Sequence, residues 1–283
     1  MKIANIAIII LLLALSPNIA NATIVYSKAD SLTYESYIKQ VSPYKNEPIN
    51  ELVIRTAKFF IGRPYVASTL EGNTKESLVI NLHEFDCTTF VETCIALSKV
   101  IKSDDLSFSN YCQTLTSIRY RNGVIDDYSS RLHYSSDWIY ENEQKKIFKD
   151  ISIDLGGKIS SKKINYMSTH PQLYSQLKNN NINIRELRGI ENKINERNNY
   201  KIIPSDAISS ADENILDGDI VLFGTNINGL DYSHMGIAYR SNNILRFIHA
   251  SSRAKKIIIE SKSLNEYCAE SKTCNGITIL RLN

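Results

Sequence analysis

The chain has 283 residues, 43% of them hydrophobic and 22% charged, with a formal net charge of +3 at neutral pH. So small a positive excess offers no electrostatic footprint for nucleic acid, and the length supports one good-sized core, or one core with an insertion. The sequence carries no glycine-rich phosphate loop, no His-Glu-x-x-His or clustered Cys/His spacing and no internal repeat, so no metal and no other cofactor is expected.

Residues 1–22 read as a secretory leader. Lys2 gives a minimal basic start, Ile6 to Leu15 an apolar run too short for an ordinary membrane span, and Ala20-Asn21-Ala22 a small-x-small cleavage site. No cysteine lies there to take a lipid. The expected mature chain, 23–283, is exported to the periplasm or secreted, with no membrane anchor after cleavage. Residues 23–48 are polar with scattered aromatics and read as a lead-in. A helix is expected from about Ile49 to Ile61, then Gly62-Arg63-Pro64-Tyr65. At Phe85-Asp86-Cys87-Thr88-Thr89-Phe90-Val91-Glu92 a second helix opens: Asp86 suits the N-cap, and Phe90, Val91, Cys94, Leu97 and Ile101 recur at helical spacing.

Further helices are expected near residues 106–120 and around Tyr134 to Asn142. Residues 155–210, with Asn179-Asn180-Asn181 and the charged run Glu191 to Arg197, read as an irregular insertion that shapes a cleft, not as a separate domain. Strands follow. Asp217-Gly218-Asp219 is a turn, Ile220 to Phe223 a buried strand, and His234 to Tyr239 a second. Asn242-Asn243 turns the chain into a third, Ile244 to His249, and Lys256 to Glu260 and Gly276 to Leu280 continue the sheet. Five cysteines leave at least one unpaired. Cys268 and Cys274 are the best disulfide pair, whereas Cys94 reads as core and Cys112 packs in its own helix or meets Cys94.

A thiol at a helix start feels the positive end of the helix dipole, which favours thiolate, the form that attacks carbonyl carbon. Cys87 is therefore a candidate nucleophile if a histidine reaches it. His234 begins one predicted strand and His249 ends the next. Paired antiparallel through the tight turn, the two strands bring both imidazoles to one edge of the sheet. With Cys87 packed there, His234 becomes the base and His249 the group that orients it.

In this order, Asp86-Cys87-Thr88-Thr89-Phe90, Gly218-Asp219-Ile220-Val221, Ser233-His234-Met235-Gly236-Ile237 and Ile248-His249-Ala250-Ser251 resemble the NlpC-type cell-wall hydrolases. Asn81-Leu82, Arg131-Leu132-His133-Tyr134 with Asp137-Trp138, Met167-Ser168-Thr169-His170-Pro171 and Gly229-Leu230-Asp231 are similar to signatures of the N-acetylmuramoyl-L-alanine amidase-like family within that superfamily. The resemblance covers most of the chain after about residue 50. It implies an α+β papain-like cysteine hydrolase, with N-terminal helices packed on a C-terminal antiparallel sheet or barrel and the nucleophile at a helix N-terminus. It also implies cleavage between N-acetylmuramic acid and L-Ala in peptidoglycan or released muropeptides, with Cys87, His234 and His249 as the triad. The alternatives are a γ-D-glutamyl endopeptidase with the same triad, and a non-catalytic module that grips muropeptides.

Other residues carry two readings each. Asp86 is a helix cap or a carboxylate beside the cleft. Tyr65 packs its ring or offers its hydroxyl to substrate or oxyanion. Arg131, His133 and Tyr134 bind the carboxylates of a stem peptide or form a solvated helix start. Asp231 contacts substrate or shapes the turn before His234. Trp138 is core or a sugar platform, and His83 and His170 line loops.

Overall fold

The computed structural model describes residues 23–72 and 75–283; the expected leader, 1–22, lies outside them. The chain begins with β1 (Ile24–Val25), α1 (Lys28–Val41) and α2 (Ile49–Phe59). Helix α1 corrects the expectation of an irregular lead-in. Ser27 accepts from the Asp30 N–H, and the Asp30 carboxylate accepts from the Ser27 N–H in return, a capping box that starts the helix. Tyr34, Tyr37 and Val41 then fall on one face and are buried in the core.

Next come β2 (Leu78–Val79), which pairs in parallel with β1, then α3 (Cys87–Lys102), α4 (Phe108–Arg119) and α5 (Ser135–Gln144). Apolar side chains surround the middle of α3: Phe90, Val91, Cys94, Ile95, Leu97, Val100 and Ile101 are all fully buried. Its one buried carboxylate, Glu92, is met by Arg119 of α4 at 2.7 Å. Helix α3 is thus the central helix, lying between α2 and α4 and against the sheet.

The insertion is regular where irregular chain was expected. After β3 (Phe148–Asp150) it contains β4 (Lys158–Ser160), α6 (Tyr166–Thr169), α7 (Asn181–Arg197) and β5 (Tyr200–Pro204), then α8 (Ile208–Ala211). Asn180 caps α7 through the N–H groups of Ile182 and Asn183, so the asparagine run is a helix start and the charged run is its last turns.

The C-terminal part is β6 (Ile220–Thr225), β7 (Tyr232–Ser241), β8 (Ile244–Ser251), β9 (Lys256–Ile259), α9 (Leu264–Glu270) and β10 (Cys274–Leu282). The main sheet is antiparallel at every pairing, in the order β4-β5-β10-β6-β7-β8-β9, with β3 also on β10. Asn242 and Asn243 both have positive φ, 52° and 62°, which suits the two-residue turn between β7 and β8. Cys268 and Cys274 form a disulfide joining α9 to β10, and Cys87, Cys94 and Cys112 are free. Among the described residues no helix is long and apolar enough to cross a membrane.

Candidate active site

Cys87 is the first residue of α3. Asp86 caps the helix by accepting the Thr89 N–H at 2.8 Å, and the Thr89 hydroxyl accepts the Asp86 N–H at 3.0 Å. The preceding loop is pinned by Asn81, which accepts the N–H groups of His83 and Glu84, and by Asp30 of α1, which accepts that of Leu82 at 2.7 Å. The strip Gly62 to Tyr65 lies between β9 and this loop. Gly62 donates to Ile257, Tyr65 to Lys255, and Phe85 to Pro64. Tyr65 is thereby set beside Asp86 and Cys87, which both push its hydroxyl pKa up after burial does. The Cys87 N–H, in the helix's first turn, finds no acceptor among the described residues.

The histidines come from the neighbouring strands. Register runs from Ser241 opposite Ile244 to Ile237 opposite Ile248, which puts His249 across from Gly236 and diagonal to His234 on one face. The His234 Nε2 and His249 Nδ1 are 2.6 Å apart. The Met235 N–H, next along β7, faces the Cys87 sulfur. Gly236 makes room for this: a Cβ there would lie 2.7 Å from the Phe247 ring, 2.9 Å from the Ile248 carbonyl and 3.2 Å from the His249 Cβ. His249 is buried and His234 half-buried.

Electrostatics differ from the expectation of a resting thiolate. Burial pushes the Cys87 thiol up to about 11, with the Asp86 carboxylate adding to it, and these outweigh the donors at Met235 and Thr88. Burial also lowers His234 to about 3, helped by His249, and lowers His249 to about 4. At rest the Cys87 thiol and both imidazoles are therefore neutral.

The structure sets Tyr65, Asp86 and Cys87 side by side at the start of α3 and pairs His234 with His249 on β7 and β8, with the Met235 N–H as the link between the cysteine and the strands. Arg131 lies further off along a cavity of about 580 Å³ that Asp86, Glu71 and Tyr174 also line. Its buried guanidinium is already held by Glu71 at 2.6 Å and Glu76 at 3.3 Å, which leaves it poorly placed to take a ligand's carboxylate. The other three expected substrate-binding residues are engaged inside the fold. His133 hydrogen-bonds the Tyr128 carbonyl through Nε2 at 2.6 Å, and the Tyr134 hydroxyl donates to Glu191 at 2.7 Å. Asp231 accepts from the Ser136 N–H and hydroxyl and from the Tyr232 N–H, capping α5. Trp138 is core, its ring against Phe148.

Sequence reasoning missed the far wall. A cavity of about 220 Å³ opens beside the histidines, lined by His234, His249, Ser251, Arg253, Glu260 and Tyr267 among others. Glu260 Oε2 lies 3.4 Å from His249 Nε2, a nitrogen otherwise buried without a partner. Finding Glu260 from sequence needed the β8–β9 register, in which His249 faces Ile258. Among the described residues no group of three or more His, Cys, Asp or Glu stands where it could share a metal ion.

The N-acetylmuramoyl-L-alanine amidase-like family model matches residues 55–277. A solved N-acetylmuramoyl-L-alanine amidase from Bacteroides uniformis is similar at 35% identity and TM-score 0.76, covering 83% of this chain and 99% of that one. A Bacteroides fragilis protein described as a candidate xylanase is similar at 35% identity and TM-score 0.73, covering 81% and 100%. A Legionella pneumophila protein shares the fold at 23% identity and TM-score 0.69, covering 90% and 94%. No curated protein matches the chain.

Proposed function

The chain belongs to the N-acetylmuramoyl-L-alanine amidase-like family, and on that premise we propose that it is a cysteine amidase of the papain-like, NlpC-type superfamily. It hydrolyses the amide between the lactyl group of N-acetylmuramic acid and L-Ala, in peptidoglycan or released muropeptides. The observation that carries this reading is the hydrogen-bonded pair of His234 on β7 and His249 on β8, with the Met235 N–H of β7 facing the sulfur of Cys87.

In this reading the Cys87 Sγ attacks the lactyl carbonyl carbon while His234 Nδ1, the imidazole nitrogen not bonded to His249, takes the thiol proton. The Cys87 N–H and the Tyr65 hydroxyl hold the oxyanion. His234 then gives the proton to the departing L-Ala amine, and the lactyl group stays on sulfur as a thioester. Water, losing a proton to the same imidazole, attacks the thioester and frees the carboxylic acid and the thiol. A glycosidase reading finds less support. It needs two carboxylates flanking the bond, but in the histidine cavity Glu260 faces His249 and Glu270 pairs with Lys262. The disulfide between Cys268 and Cys274 suits the exported setting implied by the expected leader.

Mass spectrometry of products from a defined muropeptide tests the bond. The expected products are the muramyl sugar with a free lactyl carboxylate and an intact stem peptide with a free L-Ala amine. Release of L-Ala-D-Glu, or of sugar still carrying it, assigns the endopeptidase cut instead. Cys87→Ala should abolish turnover with muropeptide binding retained, and substantial turnover by that variant removes the nucleophile assignment.

A further inference from the structure

The three strands β7, β8 and β9 carry one polar line across their common face. His234 is diagonal to His249, and Glu260 follows Ile258, which faces His249, by two residues, so it falls on the same side. The Glu260 carboxylate is fixed at its other oxygen. Oε1 accepts from the Ser261 N–H at 2.8 Å, the Ser261 hydroxyl at 3.0 Å and the Lys262 N–H at 3.2 Å. Those donors leave Oε2 aimed at His249 Nε2, 3.4 Å away, where a small side-chain rotation closes a hydrogen bond.

We propose that Glu260 is the positioning residue that sets the proton arrangement of both histidines, extending the triad to Cys87–His234–His249–Glu260. This rests on the amidase reading for its consequence in catalysis, though not for its geometry. Two neutral imidazoles sharing one hydrogen bond have two arrangements. In one, His249 Nε2 carries its proton toward Glu260. His249 Nδ1 then accepts from the His234 Nε2–H, and His234 Nδ1 keeps the lone pair that takes the thiol proton. In the other, His249 Nδ1 donates to His234, His234 Nδ1 carries a proton and is no base, and a bare nitrogen faces a carboxylate. Glu260 selects the first. The groups facing His249 are His234 from β7, Tyr267 from α9 with its ring centre 5.9 Å away, Phe247 on its own strand and Glu260, with Arg253 and Lys262 on the same cavity. Glu260 is the carboxylate among them that reaches the open nitrogen.

The test is long-range proton–nitrogen NMR of the imidazoles in the full protein near neutral pH, with kinetics on one muropeptide. The wild type should show both His234 and His249 protonated at Nε2. Glu260→Ala should give mixed forms and lower kcat about 10–100-fold with KM unchanged, as loss of an orienting partner does. Glu260→Gln, whose amide oxygen still accepts, should recover most of that loss and the Nε2–H forms. A wild-type His249 protonated at Nδ1 overturns the proposal without any variant having to fold. So does Glu260→Ala with wild-type kcat and unchanged proton positions. If the wild type leaves the lactyl–L-Ala bond intact while Glu260→Ala still shifts the proton positions, the relay stands and the amidase reading falls.

Discussion

On the amidase reading, the acid limit of the site is set by His234. Its folded pKa lies far below the ordinary imidazole value because burial disfavours its charged form, and His249 adds to the shift. Lowering the pH protonates the base and removes it. kcat/KM should therefore hold from neutrality down to about pH 5 and fall only below, well under the ordinary imidazole range. An acid limb near the unperturbed histidine value would contradict this account of burial. The two histidines should also separate by substitution. Every His234 variant loses the proton acceptor and should be nearly inactive. His249→Asn keeps a carbonyl oxygen that accepts from His234, so it should retain measurable rate where His249→Ala retains less. The reverse order, with His234→Asn active and His249→Asn dead, would make His249 the base. The resting thiol was not legible in the sequence. A helix start argues for thiolate, but the opposing burial and the closeness of Asp86 appear only once the chain is folded.

Strand β7 depends on a missing side chain. Gly236 sits across from His249, and a methyl there meets the Phe247 ring at 2.7 Å and a backbone carbonyl at 2.9 Å, neither of which can give way without moving β8. Gly236→Ala should cost about 1–3 kcal/mol of stability and lower activity beyond that, because β8 carries His249. Urea denaturation beside kcat checks both; an unchanged midpoint with full activity would show that the strands have slack. The hairpin was readable because Ile220 to Phe223, His234 to Tyr239 and Ile244 to His249 are apolar runs punctuated by Asn242-Asn243, whose positive φ the structure shows. Helix α1 was not, since its buried face is built from Tyr34, Tyr37 and Val41 among polar neighbours, and its clearest mark is the Ser27–Asp30 box. Strands β4 and β5 were hidden for another reason. Lys158 to Ser160 is exposed or half-exposed and has little apolar pattern of its own, and takes its place only by pairing with β5.

The fold holds one buried and two half-buried histidines in neutral form. His133, His234 and His249 all have folded pKa values lowered mainly by burial. In the unfolded chain each titrates near the ordinary imidazole value. Between that value and the folded ones, the unfolded chain binds more protons, so stability rises with pH there and is lost as pH falls. The thermal midpoint should drop steadily on acidification from about pH 7 toward pH 4.5; a flat response would mean these imidazoles are not held neutral. At this scale the three candidates Cys87, His234 and His249 were nameable from the sequence, since each sits in its own short motif. Glu260 was not, because its partner is set by a register that spans two strand pairs. The order of the site along the chain has a consequence in time. Cys87 leaves the ribosome early, but β7 to β9 follow roughly 150 residues later, on the order of ten to thirty seconds of synthesis. Until then Cys87 lacks the two imidazoles, His234 and His249, that the amidase reading gives it. On that reading the growing polypeptide is silent toward amides throughout its assembly, and a product that stops short of β7 stays so.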